Sequence, residues 1–383
     1  MTARVYLDWN ATAPLRQAAR EAVCAALELS GNPSSVHGEG RAARRAIEEA
    51  RAQVAALVSA DPRNVVFTSG GTEANALALS PANGCARLLV SAIEHPSVLA
   101  GGQFAREAVE QIAVRADGVI ALTALEQRLE ALGGQPVLVS VMAANNETGV
   151  VQPIAVVAEI VHRYGGRLHV DAVQAAGRIA LDINALGADL MTLSAHKLGG
   201  PKGAGALIRR DEAIHIEPLI RGGGQERGSR AGTENVAAIA GFGAAAAAVK
   251  AEFATEVAQM ARLRDRLEAG LRTASPEAII FGGDVARLPN TTLVAMPGSK
   301  AETLVIAFDL DGVAVSSGAA CSSGKVAPSH VLAAMGAAPA LAGGAIRVSL
   351  GPTTTEAEID RFLQVWQKLA QSLSVREKRG LAA

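Results

Sequence analysis

Two short apolar runs each end on a residue able to do acid–base or covalent chemistry. Residues 168–174 read Leu-His-Val-Asp-Ala-Val-Gln and put Asp171 at the close of one run; residues 193–197 read Leu-Ser-Ala-His-Lys and put Lys197 at the close of the other. The chain holds seven lysines against 29 arginines, so an amine in this setting is not solubility dressing. Pyridoxal phosphate needs such a pair. A lysine amine forms a Schiff base with its aldehyde, and an acid keeps its pyridine nitrogen protonated as an electron sink. A structural ion pair explains the same two residues.

Other residues offer the remaining contacts of such a site, each with a plainer explanation beside it. Ser69-Gly70-Gly71-Thr72 sits between a strand-like and a helix-like run, where backbone N–H groups face an anion. Ser194 and His196 flank Lys197 with further donors, and Arg230-Ala231-Gly232-Thr233 follows a triple-glycine loop. No GxxxxGK[ST] P-loop exists, which excludes that class of NTPase. His95 closes the apolar run 88–94, where an imidazole could stack on a flat ring and exchange protons, or simply cap a helix. Asn145-Asn146-Glu147 offers an amide to a ring substituent, or is a turn. Arg347 lies in an otherwise apolar run and wants a carboxylate: an amino-acid substrate supplies one, and so does an internal salt bridge.

Cys321 stands among small residues, Ser316-Ser317-Gly318-Ala319-Ala320 before it and Ser322-Ser323-Gly324-Lys325 after. That composition suits an exposed loop, where a thiol is reachable; Lys325 or a base in the site would favour the thiolate. An inert loop cysteine is the alternative. Cys24, in an Ala/Leu-rich stretch, and Cys85, in a polar turn, read as structural.

The elements that must position these residues follow from hydrophobic patterning. Short Val/Leu/Ile runs at 64–68, 87–93, 136–143, 166–170, 190–194 and 204–208 alternate with helical stretches such as 72–79 and 154–164. Such alternation predicts an α/β fold with a mostly parallel sheet and helices on both faces. Sites in such sheets lie at the strands' carboxyl ends, where Asp171 and Lys197 both fall. Beyond Thr233 the pattern predicts an Ala-rich helix from 236 to about 253 and a second helical run near 260–271. A smaller α+β unit follows, with runs at 290–296 and 345–350 and a last helix opened by Thr355-x-x-Glu358, a capping-box spacing. The expected division is a large domain over 15–255 and a small one formed by 1–14 and 256–383.

Composition narrows the classes. Of 383 residues, 49% are hydrophobic and 19% charged, with net charge −1 and only 3% aromatic, which fits a buried core and argues against a nucleic-acid partner. Three scattered cysteines make neither a disulfide framework nor a metal knuckle, and no metal site is expected. Residues 1–10 lack a signal-peptide pattern, and the Ala-rich run 243–249 is too short to cross a bilayer. The expectation is a soluble, cytoplasmic protein.

Eight segments then converge on a known family. YLDWNATAP (6–14), TSGGTEAN (68–75), EHPSV (94–98), ANNETGVVQP (144–153), HVDAVQAAG (169–177), SAHKLGGPKGAGAL (194–207), GGGQERGSRAGTEN (222–235) and SSGAACSSG (316–324) closely resemble the cysteine desulfurases of the NifS/IscS type, in order over nearly the whole chain. The resemblance implies a pyridoxal 5'-phosphate-dependent transferase of fold type I, homodimeric, with L-cysteine as substrate. It implies that Lys197 is the Schiff-base lysine, Asp171 the partner of the pyridine nitrogen and His95 the ring-stacking residue. Asn146 and Gln174 are implied at the ring oxygen side. Gly71, Thr72, Ser194 and His196 are implied around the phosphate, with Thr233 reaching in from the neighbouring subunit. Arg347 would hold the substrate carboxylate, with Asn146 near it, and Cys321 would carry sulfur as a persulfide.

The same resemblance implies release of alanine and delivery of sulfur to an iron–sulfur scaffold or another acceptor protein. The spacing from Cys321 to Pro328-Ser329-His330 resembles the long-loop subgroup. Gln225 stands where the IscS branch usually has His, which leans towards the NifS-like branch, and the tail after Leu373 is short and lacks the extension with which the IscS branch docks its scaffold, which leaves the acceptor open. Selenocysteine lyases, sulfinate-releasing relatives, aminotransferases and a non-enzymatic sulfur carrier are the competing readings.

Overall fold

The alternating apolar runs form a seven-stranded sheet. From edge to edge its order is Val65–Thr68, Gly205–Arg209, Leu190–Ser194, Arg167–Asp171, Val137–Ser140, Arg87–Ser91 and Val109–Ile112. The structure, a computed structural model, describes residues 4–318 and 329–380. Strands from Leu190–Ser194 to Val109–Ile112 pair in parallel, and Gly205–Arg209 is antiparallel to both of its neighbours. The sheet is thus mixed and mostly parallel, and its central strands are buried along their length. Gly205 permits the close pass of its strand beside the Ser69–Gly71 turn, because a Cβ there would stand 2.5 Å from the Gly70 carbonyl carbon.

Helices cover the sheet through small residues. A Cβ on Gly243 would meet Ala50 Cα at 2.5 Å, so the helices Gly38–Leu57 and Val236–Ala274 approach almost backbone to backbone. The main core joins sheet residues such as Leu89, Val139 and Met191 to Ile47, Val54, Phe242 and Val249. A second core gathers Leu7, Leu263, Leu267, Phe308, Ile346, Phe362 and Trp366 around a smaller sheet of order Ser316–Ser317, Ala345–Ser349, Thr291–Ala295, Ile279–Ile280. The amino-terminal strand Val5–Tyr6 pairs with Val313–Ala314, so the start of the chain belongs to that second core. A third cluster, including Ile93, Met142, Leu293, Val331 and Ala345, joins the strand ends of the large sheet to the small one. The capping box is present: Thr355 N donates to Glu358 Oε2 at 2.8 Å and Glu358 N to Thr355 Oγ1 at 3.3 Å, opening the helix Glu356–Gly380.

Three local expectations are revised. The helical runs expected at 236–253 and 260–271 are one 39-residue helix, Val236–Ala274. Neither Pro nor Gly interrupts residues 244–269, and the helix passes from the first core into the second. It is long and apolar enough to span a bilayer by composition, yet Ile239, Phe242, Ala246 and Val249 are buried against protein. The edge strand Val109–Ile112 was not evident, because only Ile112 in it is fully buried and Glu110 faces Arg128. The strand before His95 ends at Ser91 rather than 94. Cys24 is exposed and Cys85 buried, both as free thiols.

Candidate active site

Three parallel strand ends and two turns converge at one end of the large sheet. Asp171 closes the strand Arg167–Asp171, Ser194 closes Leu190–Ser194, and Lys197 follows within a short 3-10 turn. Asp171 is buried and accepts Val173 N at Oδ1 (3.0 Å) and Asn75 Nδ2 at Oδ2 (2.8 Å). Asn75 uses its second N–H on Ser97 Oγ at 2.9 Å, and Ser97 Oγ lies 2.7 Å from His95 Nδ1. One amide thus ties the acid to the histidine.

His95 caps the short helix Pro96–Leu99, and its Nδ1 accepts Ser97 N at 3.1 Å. The capping role expected as its alternative is therefore real. With Nδ1 occupied as an acceptor, the neutral ring keeps its proton on Nε2. The residue is exposed, but desolvation by its surroundings lowers its pKa, Asp171 pulls the other way, and Lys197 and His330 lower it further. Beside them Glu94 is fully buried, accepts Met142 N at 2.7 Å, and is driven well above the usual carboxylate range by burial and by Asp171.

Lys197 is half-buried and donates to Asn10 O at 2.5 Å and Ala11 O at 2.7 Å. Burial, then the positive charges of Arg347 and Arg178, lower its pKa to about 7, so a free amine is available near neutrality. His196 meets Thr12 Oγ1 at 3.2 Å, and burial with Lys197 and Lys202 lowers it to about 4. Gln174 donates to Asn10 O at 3.0 Å and takes a short bond from Arg178. Asn146 contributes its carbonyl to Asn10 and Arg347.

The phosphate side is a cradle. A Cβ on Gly71 would stand 3.1 Å from Val173 Cγ2 and 3.3 Å from Ser194 Cβ, so the first turn of the helix Gly71–Ala78 opens between the loop after Asp171 and Ser194. Thr72 is exposed on that turn. An amine poised near neutrality, a buried acid and an anion-binding helix start are the donor set that pyridoxal phosphate requires, so the residues fit the group. Thr233 is exposed, and its loop joins this helix through Arg230 Nε to Glu73 Oε1 at 2.9 Å.

From the small sheet Arg347 reaches in, 1% exposed. Its Nη2 donates to Asp8 Oδ1 at 2.8 Å and its Nη1 to Asn146 O at 3.0 Å, while Nε is buried without a partner among the described residues. The internal salt bridge weighed for this arginine exists, and a donor is still left over. Cys321 and Lys325 lie outside the described residues. A cavity of about 650 Å³ touches Lys197 and Arg178 between residues 13–18, the long helix and 350–353, and includes none of His95, Asn146, Asp171 or Ser194. Among the described residues no His/Cys/Asp/Glu group could hold a metal ion.

Asp8, Asn10, Asn75, Glu94 and Glu147 stand inside the motifs above, but their residue types alone assign them no task. Asn10 is the most connected of them. Its side chain bonds Asn146 O, Thr291 Oγ1 and Asn290 Nδ2, and its carbonyl takes Lys197 and Gln174.

The aminotransferase class-V family matches residues 5–362. The chain is 44% identical over 382 residues to a cysteine desulfurase of Cereibacter sphaeroides, covering 97% of this chain and 96% of that protein. It is 42% identical to the cysteine desulfurase IscS of Serratia proteamaculans, over 95% and 92% of the two chains. Among solved structures, a NifS-like protein from Rickettsia africae superposes with a TM-score of 0.88 at 37% identity, over 96% of this chain and 99% of that one.

Proposed function

The chain belongs to the aminotransferase class-V family and is a cysteine desulfurase, and from that premise we propose how its residues divide the reaction. The enzymes of this group depend on pyridoxal phosphate, which when bound withdraws electrons from the substrate's α carbon. Lys197 would hold its aldehyde covalently, Asp171 its ring nitrogen, and His95 one ring face. Asn146 and Gln174 would lie at the ring oxygen side. Gly71, Thr72, Ser194 and His196 would receive its phosphate, with Thr233 supplied by a second copy in a homodimer.

Arg347 is fixed by Asp8 and by the Asn146 carbonyl, and its unpartnered Nε needs an acceptor that the substrate carboxylate provides. Lys197 Nζ, its pKa lowered to about 7, takes the proton from the substrate α carbon in its free-amine form. His95 Nε2 exchanges the thiol proton. Cys321 Sγ, as thiolate, bonds to the substrate sulfur while that sulfur's bond to Cβ breaks. The electron pair stays on carbon, which is protonated, and alanine leaves. The persulfide on Cys321 passes to an acceptor protein, for iron–sulfur cluster assembly, in the cytoplasm.

The observation that carries this division is the convergence of Lys197 and His95 on Asp171, whose charge acts on both, beside an arginine with a donor to spare. Two variants test it. Cys321→Ala keeps the cofactor absorbance and loses alanine release; Lys197→Ala loses the covalently held cofactor, which borohydride reduction and mass spectrometry read directly. An unchanged absorbance band in Lys197→Ala refutes the assignment. Rates on cysteine and selenocysteine side by side set the preferred substrate.

A further inference from the structure

Among the described residues three arginines are buried, and they differ in what they meet. Arg51 pairs with Glu226 and Arg347 with Asp8. Arg178, 6% exposed, bonds only to Gln174 among the described residues and has no acid acting on it. Its Nη1 donates to Gln174 O at 2.9 Å and, in a short bond, to Gln174 Oε1. Ala176 N donates to Ala172 O at 2.9 Å and Ile179 N to Ala175 O at 3.0 Å, so the chain after Asp171 winds as a helix does. Residues 174 and 178 therefore share a face. The acids on the cavity that Arg178 and Lys197 both line are already paired: Arg16 takes Glu252 at 2.8 Å and Glu256 at 2.6 Å.

Burial and the charge of Arg347 bring Arg178 down to about 9, still a cation at neutral pH. A well-packed apolar side chain fills a buried position at lower cost. The guanidinium supplies two things that an apolar residue cannot. It only donates, and the two ends of a glutamine amide are nearly alike in shape, so the partners decide which end faces where. With Arg178 on Oε1, the amide nitrogen turns the other way and donates to Asn10 O at 3.0 Å, the carbonyl that also accepts Lys197 Nζ. One N–H of that amide is left for a further acceptor. The second contribution is charge. After burial, Arg347 and Arg178 hold the Lys197 amine down against Asp8 and Asp171, with His95 and His196 beside them in the site.

We propose that Arg178 is a positioning residue for the Lys197 site, setting the Gln174 amide with its nitrogen toward Asn10 and placing an unneutralised positive charge on the cavity that Lys197 lines. The proposal rests on the reading of Lys197 as the amine that holds the cofactor, with Gln174 at its ring oxygen side. A donor and a positive charge both disfavour a proton on a nearby acceptor. Loss of Arg178 therefore raises the pH at which the Lys197 amine, and the cofactor bound to it, give up a proton.

Two titrations of the full-length protein test this in Arg178→Met, Arg178→Lys, Gln174→Leu and the double variant Arg178→Met/Gln174→Leu. In the cofactor-free protein, trace labelling with acetic anhydride and mass spectrometry of the Lys197 peptide reads the free amine against pH. In the holoenzyme, the absorbance band of the bound cofactor is followed over the same range. The amine midpoint is expected to rise by about one pH unit in Arg178→Met and to return towards wild type in Arg178→Lys, which keeps the charge. The cofactor band is expected to titrate at higher pH in both Arg178→Met and Gln174→Leu. The double variant should move it by less than the sum of the two, because both changes act on one amide. Either midpoint unmoved in Arg178→Met overturns the positioning role, and so does a strictly additive double variant. If Arg178→Met does not fold, Arg178→Gln decides on the amine midpoint, and a wild-type value there overturns the role. Borohydride reduction of Lys197→Ala keeps the two failures apart. Cofactor still held covalently in that variant overturns the underlying reading, and the positioning role with it; unmoved midpoints beside a variant that has lost it overturn the positioning role alone.

Discussion

The two sides of the site are held together in different ways. On the large-sheet side, fixation is often local: Asp171 is bonded by Val173 N and His95 by Ser97 N, each two residues away. On the small-sheet side it is long-range. Arg347 is paired with Asp8 across 339 residues, Asn10 with Thr291 across 281, and Ser329 with Glu147 across 182. Asp171 and His95 can be set as soon as the sheet forms, and Lys197 waits only for the carbonyls of Asn10 and Ala11. The second exists only when the amino-terminal segment and the carboxyl-terminal unit have both closed on the strand ends. Changes on the first side should therefore damage chemistry within an intact fold, and changes on the second should damage the fit between the two halves.

That contrast is open to attack at several points. The largest effect is expected at Arg347→Lys, which keeps the charge but loses the planar fork shared by Asp8, Asn146 and the substrate. The apparent KM for cysteine should rise by about 100-fold with a smaller loss in kcat, and the thermal midpoint should fall as Asp8 loses its partner. A loss confined to kcat would mean that Arg347 is not the carboxylate holder. The next effect is one of pH. With Lys197 near 7, the free amine rises from about a tenth at pH 6 to about nine tenths at pH 8, so uptake of pyridoxal phosphate by the apo-protein should quicken about tenfold across that window. The sign for stability follows from the same depressed value. The unfolded chain holds this proton up to its ordinary 10.5 and the folded one only to about 7, so Lys197 makes the apo-protein more stable as pH rises from 7 to 10.5. Lys197→Met should flatten that slope in a denaturant titration.

Smaller effects sharpen the comparison. Asn75→Ala cuts the link from Asp171 through Ser97 to His95 and should lower turnover about fivefold, with a shifted pH profile and bound cofactor retained. Thr355→Ala removes only the cap of the last helix, far from the chemistry in role. About 1 kcal/mol of stability should go, read as a shift in denaturation midpoint, with alanine formation unchanged.

How much of this was legible beforehand follows the same division. Asp171, Ser194 and Lys197 stand at the ends of apolar runs whose spacing alone places them at one sheet edge. Those runs, the capping box at Thr355 and the helix after Gly71 are short-range patterns, and the fold keeps them. The strand Val109–Ile112 escaped because an edge strand with half-buried residues shows no clean alternation. The break expected after residue 253 is absent, because no Gly or Pro interrupts the helix over residues 244–269. Asp8, Asn10, Asn75 and Glu147 had motifs around them but no readable task, because each acts through a partner that only the folded chain brings near. Asn10 is the clearest case: its partners are at 146, 174, 197, 290 and 291.

The central claim is that sulfur leaves cysteine at the Lys197 site and arrives on Cys321. Its most direct test is to incubate the holoenzyme with L-cysteine, without acceptor or reductant, alkylate, digest, and weigh the three cysteine-containing peptides while counting alanine. The account predicts one added sulfur atom on the Cys321 peptide, none on those of Cys24 and Cys85, and alanine in equal amount. Alanine formed with the Cys321 peptide unmodified would contradict it.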